Sequence, residues 1–187
     1  VRNEHVSAQL AVTSKDGLHD VHVEVSHLQK AGGGGVIPSQ NTAVFYPSFI
    51  PNEGPGDDII ADPLIDEERI HIPAREVQSV WFSFEIPKQT KPGTYHGQIT
   101  ITATGEEPVV HDFTIEVANV TLPDPDENEF HLNLWMQPDA VAAAHDVETW
   151  SDEHWFLLQK YLKDIATRGQ KVINVAVADD PWRVPMP

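Results

Sequence analysis

Proton-transfer chemistry needs carboxylates held as a pair, and the chain carries three adjacent Asp-Glu pairs: Asp66-Glu67, Asp126-Glu127 and Asp152-Glu153. Two carboxyl groups in different environments can divide acid and base roles between them. The first two pairs lie in loop-like sequence, however, and the third opens a helix, where the macrodipole favours acids in any case. All three read as structural. The ten histidines raise the question of a metal site. His19, His22 and His27 are close in sequence, but strand alternation sets His19 and His27 on the face opposite His22. There is no His-Glu-x-x-His helix and no cysteine, so surface histidines are expected. Gly32 to Gly35 lacks the Lys-Ser/Thr of a phosphate loop, and no nucleophile elbow is present.

The elements that must position any site change character along the chain. Leu18 to Val25 alternates, with Val21, Val23 and Val25 on one face and His22 and Glu24 on the other, as a half-buried strand does. The four-glycine run is a loop. Asn41 to Phe49 is aromatic-rich and compatible with a strand, and Pro51 to Pro63 reads as a long polar loop. Val77 to Ile86 is the clearest strand, placing Val80, Phe82, Phe84 and Ile86 inward. Lys91-Pro92-Gly93-Thr94 has the chemistry of a type II turn. Tyr95, Gly97, Ile99 and Ile101 alternate after it; Gly105 to Pro108 turns the chain; Phe113, Ile115 and Val117 face inward again. Short strands separated by turn signals predict an antiparallel sandwich.

Leu122-Pro123-Asp124-Pro125-Asp126-Glu127-Asn128-Glu129 disfavours helix and strand alike and marks a boundary. Beyond it, Phe130 to Trp135 reads as a strand and Ser151 to Arg168 as a helix. Ser151 is its N-cap, Trp155, Leu158, Leu162 and Ile165 form its apolar face, and Gly169 stands at C′. Lys171 to Val177 reads as a second, almost wholly apolar strand, which suits a parallel sheet covered on both faces. A single β/α/β unit cannot cover its own sheet, so the chain reads as the front end of a larger protein. Open strand edges would then favour aggregation or dimerisation.

Composition excludes several partner classes. Of 187 residues, 40% are hydrophobic, enough for a core, while no apolar run approaches the ~18 residues of a membrane span. With 29 acidic and 12 basic residues the net charge is −17, and no basic stripe exists to follow a phosphate backbone. Neither nucleic acid nor an anionic membrane is an expected partner. The absence of cysteine leaves the compartment open.

Several segments taken in order carry a resemblance. They are Arg2-Asn3-Glu4-His5 with Gln9, Ala61-Asp62-Pro63-Leu64, and Val80-Trp81 leading to Lys91 through Gly97. Further on come Leu134 through Ala142, Trp150-Ser151-Asp152-Glu153-His154-Trp155, Gly169 through Ile173, and Asp180-Pro181-Trp182. Together they resemble glycoside hydrolase family 123 and its uncharacterised relatives, the domain-of-unknown-function 4091 proteins. The resemblance implies an α+β multidomain protein: an antiparallel β-sandwich over 1–122, a linker over 123–129, and over 130–187 the truncated start of a (β/α)8 barrel. It implies release of β-linked N-acetylgalactosamine by substrate-assisted, retaining hydrolysis, without a cofactor or metal. In such chemistry the substrate's own 2-acetamido oxygen attacks, outside the two-carboxylate scheme. The Asp-Glu pair that would orient it is expected beyond residue 187, and Arg183 to Pro187 departs from the family's pattern.

Ligands of a barrel meet the C-terminal ends of its strands. By that rule Trp135 and Trp182 would offer sugar rings an apolar face, while Gln137, Asp179 and Asp180 would hydrogen-bond hydroxyls. The partners implied are an N-acetylhexosamine-containing glycan and the remainder of the chain's own barrel. An alternative is a carbohydrate-binding or purely structural sandwich without catalysis, using Phe45, Tyr46, Phe49 and Trp81.

Overall fold

A run that buries every second side chain settles into a strand, because successive Cβ atoms point to opposite faces of a sheet. The computed structural model describes residues 1–51 and 59–174, and among these the chain forms ten strands, two α-helices and a single 3-10 turn at Ser39–Asn41. The strands are β1 Glu4–Thr13, β2 Leu18–Val25, β3 Leu28–Lys30, β4 Val36–Ile37, β5 Thr42–Pro51, β6 Ile59–Ile65, β7 Ile70–Ile72, β8 Val77–Ile86, β9 Gly93–Thr102 and β10 Val109–Val117. The helices are α1 Pro138–His145 and α2 Asp152–Thr167. Two units result, Val1–Leu122 and Pro123–Pro187.

The first unit is sandwich-like. One antiparallel sheet runs β1-β8-β5-β6, and the other runs β4-β3-β9-β2-β7 with β10 on the second edge of β9. As the alternation predicts, Val80, Phe82, Phe84 and Ile86 are buried, as are Val21, Val23, Tyr95 and Ile99 of the facing sheet. The Phe84 ring meets Phe113 at 5.3 Å between centroids, joining β8 to β10. Each fully buried side chain of this size contributes about 1.5–3 kcal/mol, so these positions hold the two sheets together.

β2 and β3 share one edge of β9, and Ser26 splices them. Its N–H donates to the Gln98 carbonyl at 2.9 Å and its hydroxyl accepts from the Gln98 N–H at 2.9 Å. The unit closes on its own ends: Arg2 donates its N–H to Val120 and its carbonyl accepts from Leu122.

Several expectations need correction. The β2 alternation breaks at Asp20 (φ 50), where the register against β7 shifts, so Leu18 and Val21 both serve the core. The bulge leaves His19 exposed, its ring 4.4 Å from that of His71, and invalidates the simple parity separating it from His22. Residues 59–63, read as loop, belong to β6; Pro63 is tolerated because β6 is an edge strand. The rest of that reading, 52–58, lies outside the described residues. The hydrogen-bonded turn before β9 is Pro87–Thr90, not Lys91–Thr94. The Lys91 carbonyl instead accepts from the Tyr95 hydroxyl at 2.8 Å, while Gly93 keeps a positive φ of 136. β1, with Val6, Leu10 and Val12 turned toward the core, was not anticipated as a strand, nor were β3, β4 and β7.

In the second unit, α2 begins and ends as predicted. The Ser151 hydroxyl accepts from the His154 N–H at 3.2 Å, and Gly169 (φ 93) follows the Arg168 C-cap. Among the described residues neither predicted strand forms: Leu132 makes one parallel bridge, to Gln170, the residue before the second predicted strand, and 175–177 lie outside the description. Parallel pairs are stabilised by neighbours on both edges and cover on both faces, whereas Phe130, Leu134 and Ile173 are exposed here.

Candidate functional site

The candidate site grows from the segment before α1. Gln137 is the extended N-cap (φ −98, ψ 105) and does not cap the helix with its side chain. Pro138 follows at the position where a missing N–H costs nothing, and Asp139 sits in the favourable first turn. α1 was not anticipated, although Pro138, Asp139 and the alanines after Val141 are its sequence signals. Trp135 is 71% exposed just before this turn, and Gln137 is exposed as well. The structure thus places both residues on the surface of one short segment. Asp179, Asp180 and Trp182 lie outside the described residues.

Gln170 supports that segment. Its side-chain carboxamide accepts from the Leu134 N–H at 2.7 Å and donates to the Leu134 carbonyl at 2.9 Å, satisfying both main-chain groups of one residue as a neighbouring strand would. The same nitrogen donates to the Val172 carbonyl at 2.7 Å. Asn174 donates to the Asn133 side chain at 2.7 Å, a second tie between the two segments.

His154 organises the other side. It is completely buried in the first turn of α2. Its Nδ1 accepts from the Trp150 N–H at 2.9 Å, and its Nε2 lies 2.8 Å from the Pro138 carbonyl. A carbonyl can only accept, so the proton is on Nε2 and the imidazole is neutral. Both ring nitrogens are satisfied, which makes burial tolerable. His154 therefore takes the inward position beside Leu158 that the periodicity assigned to Trp155, and Trp155 is 49% exposed. Trp150 is held at φ 68, and its ring lies 5.5 Å from that of Trp155. The acids of Asp152-Glu153 are exposed in the first turn of α2.

The first unit carries a different feature. On the outer face of β9 and β10, an open hollow of about 530 Å³ is lined by His27, Gln29, His96, Gln98, Asp112 and Thr114 among others. The Gln98 amide donates to Asp112 at 2.9 Å. His96, Gln98, Asp112 and Thr114 are the outward positions of strands whose inward positions were read correctly, so for these four the signal was present in the alternation. Of the aromatics considered for sugar binding, Tyr46 is core, Phe45 and Trp81 are half-buried partners across β5 and β8, and Phe49 is exposed. Among the described residues no three His, Asp or Glu side chains gather as metal ligands.

Residues 2–103 match the glycoside hydrolase 123 N-terminal domain, more than half of the chain. The chain belongs to glycoside hydrolase family 123. A second match, to the family 123 catalytic domain, covers 135–186 and so includes Trp135, Gln137 and both helices. A solved family 123 glycoside hydrolase from Clostridium perfringens, studied for glycolipid glycan hydrolysis, superposes with a TM-score of 0.79 at 22% identity. That likeness covers 90% of this chain but 31% of the other, so this family 123 chain spans about a third of its solved relative. The PapD-like domain 7 of human CEP192 aligns at 12% identity over 64% of this chain and 76% of its own, with a TM-score of 0.32 that carries no argument. No curated protein matches the chain.

Proposed function

We propose that this chain is the sandwich and the opening β/α portion of a (β/α)8-barrel glycoside hydrolase acting on 2-acetamido sugars. The sandwich corresponds to 1–122, the linker to 123–129 and the start of the barrel to 130–187. The observation that carries the reading is the parallel Leu132–Gln170 bridge, which starts just ahead of the segment matching the family's catalytic domain and is spanned by two helices that lie inside it. Parallel pairing requires a crossover of a dozen or more residues, most often helical. In such a barrel Trp135 and Gln137 stand where the first strand ends, and sugar stacking and hydroxyl recognition are their roles. Asp179, Asp180 and Trp182 take the same roles at the end of the second strand. The substrate's acetamido oxygen is the nucleophile, and the Asp-Glu pair that assists it lies beyond residue 187.

The test is hydrolysis of an aryl 2-acetamido-β-galactoside by the longer protein containing this sequence. Retention of configuration and inhibition by a thiazoline mimic of the cyclised intermediate are expected. Inversion, or indifference to the thiazoline, would refute the mechanism. A second reading, a non-catalytic sugar-binding sandwich, is favoured only by the polar hollow on β9 and β10. Saturable binding of N-acetylgalactosamine by the 187-residue chain, lost in Gln98→Ala, would support that reading instead.

A further inference from the structure

We infer that Trp150 and Trp155 form an aromatic platform that binds a pyranose ring of a bound glycan, remote from the bond being cleaved. The inference rests on the barrel reading for its choice of ligand and on the geometry of these residues for its site. Trp150 is 44% exposed just ahead of the Ser151 N-cap, and Trp155 is 49% exposed on α2, whose buried residues are His154 and Leu158. The two rings lie 5.5 Å apart at 43°, so one plane can stack against a sugar while the other flanks it.

What distinguishes the pair from stray surface aromatics is how Trp150 is held. A bulky residue rarely adopts a left-handed backbone, yet Trp150 has a φ of 68. The strain is maintained from within: the buried His154 ring accepts from the Trp150 N–H at 2.9 Å and is anchored to Pro138 through its other nitrogen. The His154 ring also packs edge-on against the indole, with centroids 5.5 Å apart. Strain held in place by its surroundings clusters at ligand-binding positions. Here its effect is to present an indole at the surface in a fixed orientation, which lowers the entropy lost on binding. An indole offers a broad apolar face with a polar edge, and the C–H face of a pyranose is its natural complement. The exposed carboxylates of Asp152 and Glu153 lie between the two tryptophans in sequence and are suited to accept from sugar hydroxyls.

In a barrel, the helix N-terminus after a strand lies at the same end as that strand's C-terminus. The platform thus belongs to the glycan-binding end and extends recognition beyond the sugar that reacts. The experiment is titration of the 187-residue chain with a tetrasaccharide ending in β-linked N-acetylgalactosamine, followed by indole N–H resonances and saturation-transfer NMR. Saturable shifts at Trp150 and Trp155, with affinity at least tenfold weaker in Trp155→Ala, are expected. Trp150→Ala provides a second variant, and helical circular dichroism verifies folding. Unshifted indoles, equal affinity in Trp155→Ala, or binding of choline at these residues without binding of the sugar would overturn the platform. The aryl galactoside separates this inference from the hydrolase reading because it is too short to reach the platform. The longer enzyme carrying Trp155→Ala should keep its kcat/KM on that substrate and show a raised KM for the tetrasaccharide. Loss of aryl hydrolysis in the parent would sink the hydrolase reading alone, since the titration does not depend on turnover.

Discussion

Replacing His154 by alanine should loosen the second unit while leaving the sandwich intact. The imidazole is fully buried and satisfies two main-chain groups, the Trp150 N–H and the Pro138 carbonyl, at 2.9 and 2.8 Å. Truncation orphans both groups. Each buried polar group left without a partner costs about 1–3 kcal/mol, and the vacated volume adds a cavity cost that entering water relieves. A loss of about 3 kcal/mol is expected for the unit containing α1 and α2. His154→Leu is the informative companion, because it refills the volume without supplying a donor or acceptor. It should recover less than about 1 kcal/mol, since the hydrogen bonds rather than the packing dominate. Hydrogen exchange of the α2 amides is the appropriate assay. It reports local opening free energy and does not assume that the two units unfold together. Protection within about 0.5 kcal/mol of the parent in His154→Ala would refute the reasoning, as would full rescue by leucine.

Gly97→Ala should destabilise the sandwich by about 1–2 kcal/mol, although alanine ordinarily improves on glycine in a strand. The new Cβ would lie 2.8 Å from the Phe113 ring and 3.2 Å from Leu28; a raised melting temperature would refute this. Gly169→Ala should cost at least about 1 kcal/mol, because φ is 93 and the Cβ would meet the Pro125 carbonyl oxygen at 2.9 Å; unchanged α2 amide exchange would count against it. Burial raises the phenol pKa of both Tyr46 and Tyr95 above 10.0. The folded state therefore keeps protons that the unfolded state releases near pH 10, and stability is lost as pH rises from there through the folded pKa values. Thermal melts from pH 8 to 11.5 should show this slope, and Tyr46→Phe with Tyr95→Phe should flatten it; an unchanged slope would exclude these phenols.

The sandwich strands were legible where fully buried side chains alternate with solvated ones; β1, whose inward Val6, Leu10 and Val12 are only partly buried, was not. Val80, Phe82, Phe84 and Ile86 carry that contrast in their residue types, and so do Tyr95, Ile99 and Val117. Strands exposed along their length, such as β6, and strands two or three residues long offer no such contrast and went unread. Helix α2 was legible at both ends because Ser151 and Gly169 act locally. Of its inward face Leu158, Leu162 and Ile165 were assigned correctly and Trp155 was not, because a histidine was counted as polar and only contacts to Trp150 and Pro138 make His154 a core residue.

The site divides the same way. The sequence alone carried the family resemblance and the nomination of Trp135 and Gln137. It could not say that Gln170 would complete a strand pairing with its side chain, or that Trp150 would be held outward by a buried imidazole. Those outcomes depend on contacts between segments 36 residues apart in one case and on a left-handed backbone in the other. Local propensity encodes neither, because each is stable only when the rest of the fold supplies the partner.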